Sequence, residues 1–207
     1  MRKLPLFVDG RDALALVGVL EHVTRDIASW RVLAYCFMPN HVHLVVDADV
    51  DQLSVAMHRV NGLYAQRFNR VHGFTGHLFQ GRYHAKPIRD EAHLPSSIRY
   101  VAMNPVRAGL CKRPESWRWS SYRATLGIAP APPFLDIAGA LSCFGTHGGR
   151  SRDRLRRFVE AELPHVADRG DSPRDCPRPM GGTTPSAPGT RGPGTPGKRK
   201  SVGSRPG

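Results

Sequence analysis

Several features that define other classes of protein are scarce or missing in this sequence. No run of residues approaches the ~20 apolar residues that a membrane-spanning helix needs, so we expect no membrane partner. The four cysteines lie far apart without a Cys-x-x-Cys pair, which argues against a cysteine zinc site and a disulfide framework. Asp9, Arg11 and Asp12 interrupt the N-terminal apolar residues before a signal-peptide core can form. We therefore expect a cytoplasmic protein.

Acidic residues are also scarce relative to basic ones. Thirty Lys and Arg face seventeen Asp and Glu, which gives a net charge of +13 and a pI near 10.5. Such an excess favours a polyanionic partner through counterion release, but it does not identify the partner. A soluble protein with a solvated basic face is the alternative interpretation.

A change in composition divides the 207-residue chain into a domain at 1–163 and a tail at 164–207. The tail contains nine Pro and nine Gly in 44 residues and has no hydrophobic periodicity. Because it cannot bury enough apolar surface to offset the entropy of ordering, we predict that it is disordered. Its Lys198-Arg199-Lys200 run would add only weak affinity for nucleic acid, and a solvated tail is the simpler reading.

Within the domain, hydrophobic patterns predict a mixed order of helices and strands, an α+β class. Three- and four-residue spacing indicates helices, and alternating or β-branched runs indicate strands. The predicted helices are 9–28, 51–71, 91–104 and 151–162, and the predicted strands are 30–37, 41–47 and 82–88. Asp9 and Asp51 are the expected N-terminal caps, Gly73 the expected C-terminal stop of the second helix, and Pro105 the expected stop of the third.

The second predicted strand carries His41-Val42-His43. Because strand side chains alternate between faces, both imidazoles project from one side, about 6.5–7 Å apart along the strand. Val42, Leu44 and Val46 project from the other side, as suits a core. Two neutral imidazoles on one strand are half of a divalent-metal site. The alternative is a pair of surface or hydrogen-bonded histidines.

The third predicted helix carries Tyr100 and, one turn later, Asn104 on the same face. The phenol is a candidate nucleophile and the amide oxygen a candidate third metal ligand. The alternative is a core tyrosine followed by an asparagine that only ends the helix before Pro105. Combined with the histidine pair, these residues suit phosphodiester cleavage, because a metal activates the phosphate toward attack by a weak phenol nucleophile.

Four segments together resemble the REP-associated branch of the single-tyrosine HUH transposases, the insertion-sequence-200-like group. The first is Tyr35-Cys-Phe-Met-Pro-Asn-His-Val-His-Leu-Val-Val46, which resembles the HUH signature. The others are Gly76-His-Leu-Phe-Gln-Gly-Arg-Tyr83, Arg99-Tyr-Val-Ala-Met-Asn-Pro-Val-Arg-Ala-Gly-Leu110 and Trp117-Arg-Trp-Ser-Ser-Tyr122. Their order and spacing also match, and the resemblance covers residues 6–163.

This resemblance implies a ferredoxin-like or RRM-like antiparallel sheet with helices packed on it. It implies a metal-dependent tyrosine transposase that cleaves DNA through a covalent 5′-phosphotyrosine intermediate. His41 and His43 would be the metal ligands, Asn104 the third ligand and Tyr100 the nucleophile. The metal would be Mg or Mn, and the partner single-stranded DNA with a hairpin or palindromic repeat. A monomer and a homodimer are both compatible with the sequence.

Basic and aromatic residues are interleaved between positions 82 and 123, the combination that tracks a DNA backbone and stacks on unpaired bases. The predicted DNA-binding residues are Arg82, Tyr83, Lys86, Arg89, Arg99, Arg107, Arg118, Trp119 and Tyr122. For the tryptophans, core packing is the alternative. Four other tyrosines compete with Tyr100 as nucleophile: Tyr35, Tyr64, Tyr83 and Tyr122.

The sequence departs from the family at its N-terminus. Family members begin with a further strand, whereas only five residues precede Leu6 here. We therefore expect the sheet to lack the usual first strand, which would expose a strand edge. An upstream start, a truncated gene or a replacement segment would each explain this. A non-catalytic DNA-binding remnant is accordingly the alternative function, and a replication-type HUH nuclease is a third.

Overall fold

The computed structural model describes residues 5–88, 90, 92–145 and 148–163. The elements in these ranges are α1 (Gly10–Asp26), β1 (Arg31–Met38), β2 (His41–Asp47), α2 (Val50–His72), α3 (His93–Arg107), a 3-10 helix (Pro114–Ser116), α4 (Tyr122–Thr125), α5 (Ile137–Ser142) and α6 (Gly148–Glu160). The predicted α+β class is confirmed. The tail predicted at 164–207 lies outside the described residues. In the described ranges, no helix combines the length and the apolar character that crossing a bilayer requires.

The predicted hairpin forms from β1 and β2, which pair antiparallel. In its register Met38 lies opposite His41 and Cys36 opposite His43. Directly opposed residues of an antiparallel pair share a face, so both histidines lie on the Cys36 face of the sheet. Phe37, opposite Val42, lies on the other face.

The free edge of β1 is covered by residues that come much later in the chain. Ser120 forms an antiparallel bridge with Cys36, and Phe37 N–H donates to the Trp119 carbonyl at 2.8 Å. Leu135 forms a parallel bridge with Val32. As a result β1 is buried from its second residue onward, whereas most of β2 is only half-buried.

Helices cover the two faces of the sheet. On the Phe37 face, Phe7 stacks on Phe37 with ring centroids 5.6 Å apart and also contacts Tyr64 of α2 at 5.8 Å. The Tyr64 hydroxyl donates to the Leu6 carbonyl. On the Cys36 face, α3 packs across both strands. The sheet therefore separates α2 from α3, which carries Tyr100.

A buried carboxylate joins the start of α1 to the end of α2. Asp12 is 4% exposed and accepts the Val8 N–H at 2.8 Å and the Asp9 N–H at 3.3 Å. The Asp9 side chain in turn accepts the Asp12 backbone N–H, which completes a capping box, and it also accepts the Arg11 N–H at 2.7 Å. His72 Nε2 lies 2.9 Å from the other Asp12 oxygen. The cap predicted at Asp9 is confirmed, and it also fixes the packing of two helices.

We expect Asp12→Ala to lower the free energy of unfolding by about 2–3 kcal/mol, because it leaves buried N–H donors without an acceptor. The measurement is urea denaturation followed by circular dichroism. Asp153→Ala, at an exposed position of α6, is the matched control and should change stability by less than about 0.5 kcal/mol. Equal stability of both variants would contradict the structural role of Asp12.

Some predicted boundaries were wrong. Pro105 does not stop α3 but lies inside it, buried, and the helix continues to Arg107. A proline in the last turn removes few helical hydrogen bonds, and Leu110 N–H donates to the Pro105 carbonyl at 2.8 Å. The strand predicted at 82–88 does not form, because apart from Tyr83 its residues are exposed and build no apolar face.

Only some of the predicted helix ends are confirmed. The N-cap of α2 is Asp49 rather than the predicted Asp51, and Asp49 makes no side-chain cap bond. Gly73 ends α2 as predicted, with a left-handed φ of 65° that a side chain would disfavour. The helix predicted at 151–162 forms at Gly148–Glu160. The short helices at 114–116, 122–125 and 137–142 were not predicted.

Candidate active site

The two histidines of β2 converge on one point. His41 Nε2 and His43 Nε2 lie 2.9 Å apart, with the rings nearly perpendicular. His41 Nδ1 lies 2.7 Å from the Asn40 side-chain oxygen, which can only accept, so this contact places a proton on Nδ1. It leaves the Nε2 lone pair of His41 free of a proton, as a metal ligand requires.

Burial affects the charge of the second imidazole. Desolvation, with a smaller contribution from neighbouring His41, lowers the pKa of His43 to about 4. His43 is therefore neutral near pH 7. The neutral imidazole is the form that binds divalent cations.

Tyr100 of α3 lies beside this pair. Its ring centroid is 5.5 Å from that of His43, and the two rings meet edge to face. The Arg107 guanidinium lies 5.0 Å from the Tyr100 ring centroid. The Tyr100 side of the helix still faces solvent, since the residue is 49% exposed. The phenol is thus accessible to a large substrate and close to the histidines.

The other four tyrosines differ from Tyr100 in exposure or position. Tyr35, Tyr64 and Tyr122 are 6%, 1% and 3% exposed, and burial raises the pKa of each, to about 12 for Tyr35. Tyr83 is half-buried in the loop after α2. Among the five tyrosines, all within the described ranges, Tyr100 alone is both exposed and in ring contact with His43.

Asn104 lies one turn after Tyr100 and is half-buried. Its amide nitrogen donates to the Tyr100 carbonyl at 2.7 Å, which leaves the amide oxygen as an acceptor. In the described part of the chain, no third His, Cys, Asp or Glu joins the histidine pair. A third protein ligand from this region would have to be of another type, such as an amide oxygen.

Two predicted DNA-binding arginines of α3 are held by Glu162, which follows α6. Arg99 Nε lies 3.1 Å from Glu162 Oε2, and its guanidinium lies 4.1 Å from the Phe158 ring centroid. Arg107 Nε donates to Glu162 Oε1 at 2.7 Å. These contacts attach α6 to the helix that carries Tyr100. The sequence did not predict the salt bridges of Glu162 or the contact of Arg107 with Tyr100, because both depend on tertiary packing.

The remaining predicted DNA contacts are divided between surface and core. Arg82 and Lys86 are exposed, and Arg118 is exposed with its guanidinium 4.5 Å from the Trp119 ring centroid. Arg89 lies outside the described residues. The prediction that Trp119 and Tyr122 stack on bases is wrong, because they are 7% and 3% exposed. Pairing of their segment with β1 carries both rings into the core.

Comparison with known proteins gives a match to a family model and a match to a solved structure. Residues 8–104 match the family model described as IS200-like transposase, a range that includes both histidines, Tyr100 and Asn104. A solved structure of a REP-associated tyrosine transposase bound to a REP hairpin matches with a TM-score of 0.52 and 20% identity. The match covers 66% of this chain and 81% of that chain. No curated protein matches.

At 20% identity, the structural match shows that this chain shares the fold of that tyrosine transposase. The family-model match covers residues 8–104, slightly less than half of the chain, and it agrees with the resemblance found in the motifs.

Proposed function

We propose that this protein is a single-stranded DNA endonuclease and strand transferase that uses Tyr100 as its nucleophile in DNA transposition. The observation that carries the proposal is the contact between Tyr100 and His43. A nucleophile on a helix and a ligand pair on a strand lie on the same side of the sheet, within reach of one phosphate. The exposure of Tyr100 supports the same role, because the substrate is a polymer that must approach from solvent.

In the proposed reaction the Tyr100 hydroxyl oxygen attacks the phosphorus of one phosphodiester. The new oxygen–phosphorus bond forms while the bond from phosphorus to the 3′ oxygen breaks. The phenol proton is released to solvent, and the departing 3′ oxygen takes up a proton to become a hydroxyl. The 5′-phosphotyrosine retains the energy of the broken bond, so a 3′ hydroxyl can later attack it and join strands.

The donor set fits a divalent cation, Mg or Mn. Two imidazole nitrogens 2.9 Å apart suit neighbouring ligands of one ion at about 2.0–2.1 Å. His41 and His43 would hold the ion, with the Asn104 oxygen as the third ligand. A bound ion would neutralise charge on the scissile phosphate and on the departing oxygen. Asn40 would orient His41, and the Arg107 guanidinium would steady the Tyr100 ring.

DNA binding is proposed to use the exposed cations. Arg82, Lys86 and Arg118 are available to phosphates, whereas Arg99 and Arg107 would have to exchange Glu162 for a phosphate. The relative of known structure is bound to a REP hairpin. We propose that this chain likewise recognises single-stranded DNA that contains a hairpin or palindromic repeat.

Incubation of the protein with labelled hairpin-bearing single-stranded DNA and Mn²⁺ tests the proposal. We expect a covalent adduct that survives denaturing electrophoresis, together with a released fragment that ends in a 3′ hydroxyl. Excess EDTA should suppress the adduct without preventing binding, since phosphate contacts by arginine and lysine need no metal. DNA binding without any adduct across a panel of hairpins and flanking sequences would instead identify a non-catalytic DNA-binding protein.

A further inference from the structure

A hollow of about 350 Å³ lies between α2 and the loop at 76–83. The loop contains the segment Gly76-His-Leu-Phe-Gln-Gly-Arg-Tyr83, for which the cleavage site provides no role. Both walls of the hollow carry side chains of types that can bind nucleotides. Our inference concerns its ligand, and it rests on the proposed function as a DNA-processing protein.

The floor of the hollow is one face of α2. Ser54, His58 and Asn61 line it at helical spacing and present a hydroxyl, an imidazole and an amide. Gly62 follows, and a Cβ atom added there would meet nothing within 4 Å. The floor therefore combines hydrogen-bonding groups with open space beside the helix backbone.

The opposite wall is a loop whose position is fixed by packing. Asn69 of α2 donates to the Gly76 carbonyl at 2.9 Å. Leu78 is buried, and the Phe79 ring lies 6.4 Å from that of Tyr64. Leu78 and Phe79 also line the hollow, together with Arg82 and Tyr83. The loop is thus attached to the core at Gly76, Leu78 and Phe79, and it adds the polar side chain of Arg82 and the ring of Tyr83 to the hollow.

The chemistry of the lining suits an unpaired nucleotide. Tyr83 provides an aromatic face for a base, and Arg82 provides a guanidinium for a phosphate. His58 and Asn61 can donate and accept hydrogen bonds at a base edge. No carboxylate is present among the described residues that line the hollow, so nothing there repels an anion.

The hollow is separate from the cleavage site. α2 is linked through Phe7 to the Phe37 face of the sheet, whereas Tyr100 contacts His43 on the Cys36 face. Residues 84–88 lead from the loop toward α3 and are exposed, with Lys86 among them. We propose that the hollow binds one unpaired nucleotide of the DNA at a distance from the cleaved phosphate, and thereby contributes to strand selection.

Filling the hollow tests this inference. Gly62→Leu would place a side chain in the open space. It should weaken binding of a fluorescein-labelled DNA hairpin with thymidine flanks by about tenfold or more, because the loss of one base stack has an effect of this size. Gly18→Leu is the matched control, since Gly18 of α1 also has open space around its Cβ position. Neither change should lower Tm, because leucine is a better helix former than glycine.

Binding is measured by anisotropy in EDTA, so that it does not depend on cleavage. Tyr83→Ala should weaken binding to a similar extent, whereas Tyr83→Phe, which keeps the ring, should not. If Gly62→Leu and Tyr83→Ala both bind like the wild type, the inference is overturned while adduct formation by the wild type still supports the proposed function. If the wild type binds but forms no adduct, the proposed function fails, and the ratio of affinities still tests the hollow.

Discussion

Tyr100→Phe is expected to abolish the covalent protein–DNA adduct, with a loss of at least about four orders of magnitude in the rate of adduct formation. The substitution removes the nucleophilic oxygen and leaves the ring, so the contacts with His43 at 5.5 Å and with Arg107 at 5.0 Å can persist. DNA affinity should therefore change little. The measurement is single-turnover adduct formation with Mn²⁺, followed by denaturing electrophoresis.

Tyr122→Phe is the matched control for this change. The Tyr122 hydroxyl is buried and has no hydrogen-bond partner among the described residues, so its removal should leave both adduct formation and Tm at or above wild-type values. An adduct formed by Tyr100→Phe at the wild-type rate would remove Tyr100 from the reaction.

The second large effect is expected from the histidine pair. His41→Ala and His43→Ala should each weaken Mn²⁺ binding by more than about 100-fold. Loss of a residue that only hydrogen-bonds to a metal ligand already lowers metal affinity by about 10–100-fold, and loss of the ligand itself should cost more. Adduct formation should fall in parallel, while DNA binding in EDTA should be unchanged. Isothermal titration calorimetry with Mn²⁺ measures the first effect directly.

His22→Ala is the control for the histidine variants. His22 is an exposed residue of α1 whose Nε2 lies 3.6 Å from Asp26, and we expect its replacement to leave Mn²⁺ binding intact. Wild-type Mn²⁺ affinity in the His41→Ala, His43→Ala double variant would show that the metal binds elsewhere, and the ligand assignment would fail.

The parts of the site that could be predicted from sequence depend on neighbours along the chain. Alternation along β2 places His41 and His43 on one face whatever the rest of the fold does. The capping box at Asp9 and the left-handed Gly73 likewise follow from local backbone geometry. Residues 100 and 104 share a face on any helix, and α3 has that geometry.

The parts that could not be predicted depend on segments far apart in the chain. Trp119 and Tyr122 look like DNA-stacking residues beside Arg118, but the pairing of residues 119–121 with β1 buries both rings. Arg99 looks like a free cation in the sequence, but it forms a salt bridge with Glu162, a residue that follows α6. Pro105 looks like a helix stop, but it lies buried inside α3, which continues to Arg107.

The most direct test of the account is tandem mass spectrometry of the wild-type adduct after digestion by protease and nuclease. We predict that the nucleotide is attached to the peptide that contains Tyr100, through a 5′ phosphate on its hydroxyl oxygen. A nucleotide attached to Tyr83 or to any other residue, or one joined through a 3′ phosphate, would contradict the proposed reaction.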